Sequence, residues 1–168
     1  LPPQIVGEDG SVLLASFAAR PTFYLLAIDL VGTLLRSDKQ LTKRTAKAIQ
    51  QCRERGVQII LASARPPRAV KQIYKVLQLD TLTIHYNGAM IFDMSSGNHI
   101  YHKALDPALV VQMINTAKNI VPGVAAVVEV LDKWSTDRAD PKSTAESALS
   151  PKPDYVGPLN EQIITQPV

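Results

Sequence analysis

At 168 residues the chain can form one ordinary domain, or a small domain plus part of a second. Its 46% hydrophobic and 20% charged residues favour a packed core and argue against wholesale disorder. The net charge of +3, the mixing of bases with acids and the 5% aromatic content leave no nucleic-acid signature.

In chain order, Ser11 to Ala19 (SVLLASFAA) faintly resembles a secretory apolar segment, but Glu8 and Asp9 stand where export needs bases, so residues 1–20 are read as an extension of unknown role. Thr22 to Ile28 is a continuous apolar run, the mark of a strand buried on both faces, and it runs into Asp29. Thr42 is the expected N-cap of a helix reaching Arg55, with Gly56 as its stop. Val57 to Ala62 is a second buried strand. Pro66 and Pro67 open a second helix whose Val70, Ile73, Tyr74 and Leu77 form the i, i+3, i+4, i+7 stripe. A third strand, Leu82 to Tyr86, ends at Asn87-Gly88.

Strand, helix, strand, helix, strand implies a parallel sheet with right-handed crossovers, an α/β fold. From Ala89 the pattern changes. Ala89 to Asp93 and His99 to Lys103 flank Ser95-Ser96-Gly97-Asn98 as a hairpin. Asp106-Pro107 starts a helix to about Asn119, and Val124 to Leu131 reads as a strand. From Ser135 the chain is weakly patterned and yields no fold assignment.

Three features fall at the C-terminal ends of the first three strands, where open α/β sheets place their sites. They are Asp29-Leu30-Val31-Gly32-Thr33, Ser63-Ala64-Arg65 and Asn87-Gly88-Ala89. A carboxylate past a buried strand can act as a nucleophile or metal ligand, or simply as a turn former. Ser63, before a helix N-terminus, can bind phosphate alongside free backbone amides, or serve as a local cap. Arg65 adds a bidentate donor for a phosphate or carboxylate. Asn-Gly can be an ordinary turn. Together the three converge on one edge.

Other candidates read as structural. His99 and His102 lie three apart in a strand and point to opposite faces, which argues against a shared metal. Cys52 is a half-buried bystander; as the single cysteine it excludes an internal disulfide and fits a reducing, cytoplasmic setting. Lys43, Arg44, Lys47, Arg53 and Arg55 form the solvated face of a helix. Dinucleotide and P-loop glycine motifs are absent, and no apolar run approaches the ~18 residues of a membrane span.

LLAIDLVGTLL (Leu25 to Leu35) resembles motif I of the haloacid dehalogenase superfamily, hhhhDxDGTLL. IILASARP (Ile59 to Pro66) is similar to motif II, hhhATGR, and IHYNGAMIFD (Ile84 to Asp93) to the entry into the cap of Cof-type, subclass IIB, phosphatases. The resemblance implies a Rossmann-like three-layer core, its N-terminal half spanning 21–88, with a partial α/β cap over 89–168. It implies a Mg²⁺-dependent phosphohydrolase acting on a small phosphorylated metabolite. Asp29 would be the nucleophile that forms an aspartyl-phosphate and a metal ligand, and the Val31 carbonyl a second ligand. Ser63, with Gly32 and Thr33, would hold the phosphoryl group, and Arg65 and Asn87 would sit at the mouth of the site.

Two departures matter. Val31 replaces the family's second motif I aspartate, its acid/base, and valine transfers no proton. The family's lysine and acidic metal motifs have no match in Ser135 to Val168, so the chain is expected to stop inside the cap. The expected outcome is an enzyme by family with little or no activity as this chain. The alternatives are a non-catalytic phosphate-binding or scaffold protein and a truncated gene product. The first strand, short of the family's later strands, would carry an unpaired edge open to self-association.

Overall fold

The computed structural model describes residues 5–6, 12–13, 23–138, 152–160 and 163. Ile5–Val6 (β1) and Val12–Leu13 (β2) pair antiparallel as a small sheet of their own. The segment Ser11 to Ala19 otherwise lies outside the described residues.

The main sheet runs in the order Leu25–Asp29 (β3), Gln58–Ala62 (β4), Thr83–His85 (β5), Met90–Phe92 (β6), His99–His102 (β7). The first three strands are parallel, and the hairpin β6–β7 continues the sheet antiparallel. Lys43–Glu54 (α1) and Pro67–Val76 (α2) are the crossovers. This is the Rossmann-like α/β arrangement. By hydrogen bonding the main sheet runs on through the hairpin to His102.

Local chemistry explains each element. The Thr42 hydroxyl accepts the Thr45 amide at 3.0 Å and closes the start of α1. Gly56, at φ +83°, takes the left-handed turn that ends it. On α2 the stripe falls inward: Val70, Tyr74 and Leu77 are buried and Ile73 packs beside them. They join Leu30, Leu34, Leu35, Ile49, Ile59, Leu61 and Leu79 in one core. Arg53 departs from the expected solvated face: it donates to the Leu77 carbonyl at 3.3 Å and meets Asp80 at 3.5 Å, tying α1 to the end of α2.

A second sheet follows. Asp106 caps Pro107–Ile120 (α3) by accepting the Ala108 and Leu109 amides. Val127–Val130 (β8) and Lys133–Thr136 (β9) form a hairpin, and Tyr155–Val156 (β10) pairs parallel to β9. Val110, Val128, Leu159 and Ile163 make a smaller core. Strands β9 and β10 fall in the stretch whose pattern gave no assignment, and the rest of that stretch lies partly outside the described residues.

Candidate active site

Register brings the three sequence features to one edge. Asp29 pairs with Ala62, and Ala62 pairs with Ile84, so these residues form a row across the ends of β3, β4 and β5. Adjacent strands lie about 4.8 Å apart, which puts the Asp29 loop next to the Ser63 turn.

The Asp29 carboxylate is exposed, with the Thr33 hydroxyl at 3.5 Å as a weak neighbour. The loop beyond it is folded back tightly. Leu34 donates to the Asp29 carbonyl at 3.2 Å and Leu35 to the Leu30 carbonyl at 2.8 Å, while Gly32 takes φ +81°. Leu30, Leu34 and Leu35 are buried as its anchors, and the Val31 side chain is left 53% exposed. An exposed valine between the carboxylate and a left-handed glycine gains little from packing.

Ser63 is buried at the end of β4; its amide donates to the Ile84 carbonyl at 2.9 Å, and its hydroxyl oxygen accepts the Arg65 amide at 3.2 Å. The local capping role is therefore present, and the hydroxyl proton remains available to another acceptor. The Arg65 side chain is half-buried and forms no ion pair with the described residues. Asn87 is exposed on a left-handed turn in which Tyr86, Asn87 and Gly88 have φ +52°, +55° and +97°.

One expectation is corrected. The amides opening α2 are not free to bind a phosphate. Pro67 has none, Arg68 donates to the Asp132 carboxylate at 2.9 Å, and Ala69 donates to the Pro66 carbonyl at 3.1 Å. Pro66, the residue before the helix, has no side-chain acceptor, so the cap comes from 64 residues downstream. Local sequence cannot announce such a cap.

Two further groups escaped the sequence reading. His85 is fully buried, with Nδ1 2.9 Å from the Arg65 carbonyl and Nε2 2.8 Å from the Thr83 hydroxyl. A carbonyl can only accept, so Nδ1 carries a proton. Burial pushes the His85 pKa down, against the opposing pull of the Arg65 carbonyl and of Asp132. The polar residues Thr83 and His85, two apart on a strand and so on one face of it, were the available signal. The second group, Arg68 with Tyr86, Glu129 and Asp132, links the two sheets. Burial opposes the charge on Arg68, yet Glu129 and Asp132 more than offset it and hold the guanidinium above its ordinary pKa. Burial and Glu129 push the Tyr86 phenol up strongly.

Asp29 and a backbone carbonyl supply oxygen donors of the kind Mg²⁺ takes, usually with one or two carboxylates and the rest from water and phosphate. Among the described residues no three His, Cys, Asp or Glu side chains gather to hold a metal. His99 instead packs against Phe92, ring centroids 5.2 Å apart. No described helix is long and apolar enough to cross a membrane.

A family model for haloacid dehalogenase-like hydrolases matches residues 26–164. The 5-amino-6-(5-phospho-D-ribitylamino)uracil phosphatase YitU of Bacillus subtilis (strain 168) is 32% identical over 99 residues, covering 57% of this chain and 36% of YitU. The pyridoxal phosphate phosphatase YbhA of Escherichia coli (strain K12) is 38% identical over 72 residues, covering 43% of this chain and 26% of YbhA. Among solved structures, the phosphatase BT1666 from Bacteroides thetaiotaomicron matches with a TM-score of 0.68 at 19% identity, over 86% of this chain and 53% of that one, a likeness of fold. The chain spans 36% and 26% of the lengths of the two curated relatives.

Proposed function

This chain belongs to the haloacid dehalogenase-like hydrolases, of the Cof type, and from that premise we propose that it carries the nucleophile half of a Mg²⁺-dependent phosphomonoesterase site for a small phosphorylated metabolite. The observation that supports the reading best is the exposed Asp29 carboxylate in register with the end of β4, one residue before Ser63. Residues 21–88 are the N-terminal half of the core in this reading, 89–168 part of a cap and 1–20 an extension; the setting is cytoplasmic.

In the proposed reaction an Asp29 carboxylate oxygen attacks phosphorus, forming the Asp29–phosphate bond as the bond to the leaving oxygen breaks. The Ser63 hydroxyl donates to a phosphoryl oxygen, with the Gly32 and Thr33 backbone beside it. Arg65 and Asn87 lie at the mouth and meet the rest of the substrate. Mg²⁺, held by Asp29 and the Val31 carbonyl, would neutralise phosphoryl charge. The leaving oxygen must find a proton and the hydrolytic water must lose one. Val31 can serve neither step, and a positioned acid/base contributes about 100- to 10,000-fold. We therefore assign this chain little or no turnover.

A second reading, a non-catalytic phosphate-binding or scaffold protein, draws on the same exposed Val31. Calorimetry with beryllofluoride and Mg²⁺ tests what the two share. Weak binding abolished by Asp29→Ala is expected; binding indifferent to Asp29→Ala would remove the site. The readings separate on a phosphate donor. An activated phosphate ester should leave phosphoaspartate at Asp29, detected by mass spectrometry, only under the enzymatic reading.

A further inference from the structure

The N-terminus of α2 is closed by the second sheet. Arg68 donates its amide to Asp132 Oδ1 at 2.9 Å, and its guanidinium reaches Asp132 Oδ1 at 3.2 Å and the Asp132 carbonyl at 2.6 Å. The same guanidinium takes both oxygens of Glu129, Oε2 at 3.0 Å and Oε1 through the second nitrogen. Tyr86 completes the cluster: its hydroxyl donates to Glu129 Oε2 at 3.3 Å and accepts the Asp132 amide at 3.2 Å. The Arg68 side chain is only 17% exposed, so these partners do much of the work that water would do.

Asp132 and Leu131 form the two-residue tip of the β8–β9 hairpin, at φ +70° and +46°. That tip conformation favours Asn or Gly, and Leu at positive φ is uncommon and unfavourable. The tip is thus held by its contacts with α2 and Tyr86 more than by its own residues.

The Ser63–Pro67 stretch between β4 and α2 is pinned at both ends. Its start is fixed by the Ser63 amide on the Ile84 carbonyl and by His85 on the Arg65 carbonyl. Its far end is fixed by Asp132 on the Arg68 amide. Only the second pin comes from another sheet.

We propose that Arg68, Glu129 and Asp132 form a latch through which seating of the β8–β9 hairpin on α2 orders the turn bearing Ser63 and Arg65. Arg68 and Asp132 are then positioning residues for that turn. The latch stands on geometry alone; its consequence for phosphate binding rests on the function proposed above.

Amide hydrogen exchange by NMR on the 168-residue chain tests it. Arg68→Met should speed exchange about tenfold over 127–136 and at residues 65 and 68, with α1 and β4 changing less than about twofold. Asp132→Asn keeps an acceptor for the Arg68 amide and tolerates positive φ, so the residue 65 amide should stay nearer the parent than in Asp132→Gly. Raising salt from about 0.05 to 0.5 M should speed the same amides in the parent and not in Arg68→Met, which simple packing would not do. The salt titration also decides the matter if a variant fails to fold. Hairpin release with the residue 65 amide still protected would overturn the proposal, as would a salt response spread evenly through α1 and β4. Failure of the parent to bind beryllofluoride would sink the proposed function and leave the latch standing.

Discussion

Strands β3 and β4 are neighbours with similar apolar sequences, LLAID and QIILA, and opposite fates. On β4, Ile59 and Leu61 are buried at 1% and 0% exposure; on β3, Leu25 and Leu26 remain 49% and 41% exposed. The difference lies in partners. Strand β4 has β3 on one side and β5 on the other, while β3 has β4 alone among the described residues. Continuous hydrophobicity marks a strand suited to an interior place, and neighbours decide whether it occupies one. The strand ends differ likewise: β4 leads to a buried, bonded Ser63, and β3 to an exposed Asp29 and Val31.

The largest expected effect bears on those ends. In a version extended with a family C-terminal half, Val31→Asp should raise p-nitrophenyl phosphate turnover about 100-fold or more. The same change should not rescue the 168-residue chain. Equal turnover of the two extended forms would show that Val31 does not occupy the acid/base position. Next, Leu61→Ala should destabilise the chain by about 2–5 kcal/mol in urea titration. Leu25→Ala should stay within about 0.5 kcal/mol, as exposed sites do. Similar losses at both positions would break the contrast between the strands.

The edge of β3 left unpaired among the described residues makes the third prediction. An unpaired apolar edge templates association, so the chain should form dimers or larger species by light scattering. Leu26→Lys should shift it toward monomer; a monodisperse parent with a cooperative melt would contradict this. The smallest effect concerns His85 on β5. Its folded pKa lies below the unfolded value of about 6.5, so the unfolded chain binds the extra proton first. His85 therefore favours the fold fully above that value, and stability is lost as pH falls from there through the folded pKa. Thermal melts should show the parent losing more stability than His85→Asn over that fall.

Much of the first sheet was legible because its signals are local. Thr42 and Gly56 mark the ends of α1, the stripe from Val70 to Leu77 faces inward, and Asp106-Pro107 opens α3. Strands β9 and β10 were not legible. KWST alternates weakly, and β10 gains its identity only by pairing with a strand some twenty residues away. In the site, Asp29, Ser63 and Asn87 could be placed on one edge by counting strands. Asp132 could not, since a carboxylate capping a helix 64 residues upstream leaves no trace near either residue. His85 was hidden for a related reason: its partners, Arg65 and Thr83, are brought to it by strand order and burial.

The parallel pairing of β3 and β4 also has a consequence in time. Leu25 meets Gln58, so during synthesis β3 must wait for the whole of α1 and then for its partner. At about 5–20 residues per second that wait lasts seconds, whereas the hairpins β6–β7 and β8–β9 close in microseconds once made. A largely apolar strand is thus made seconds before the partner that covers it. When β4 arrives it covers one edge of β3, and among the described residues no strand covers the other. An apolar strand kept waiting for seconds is open meanwhile to contact with other chains.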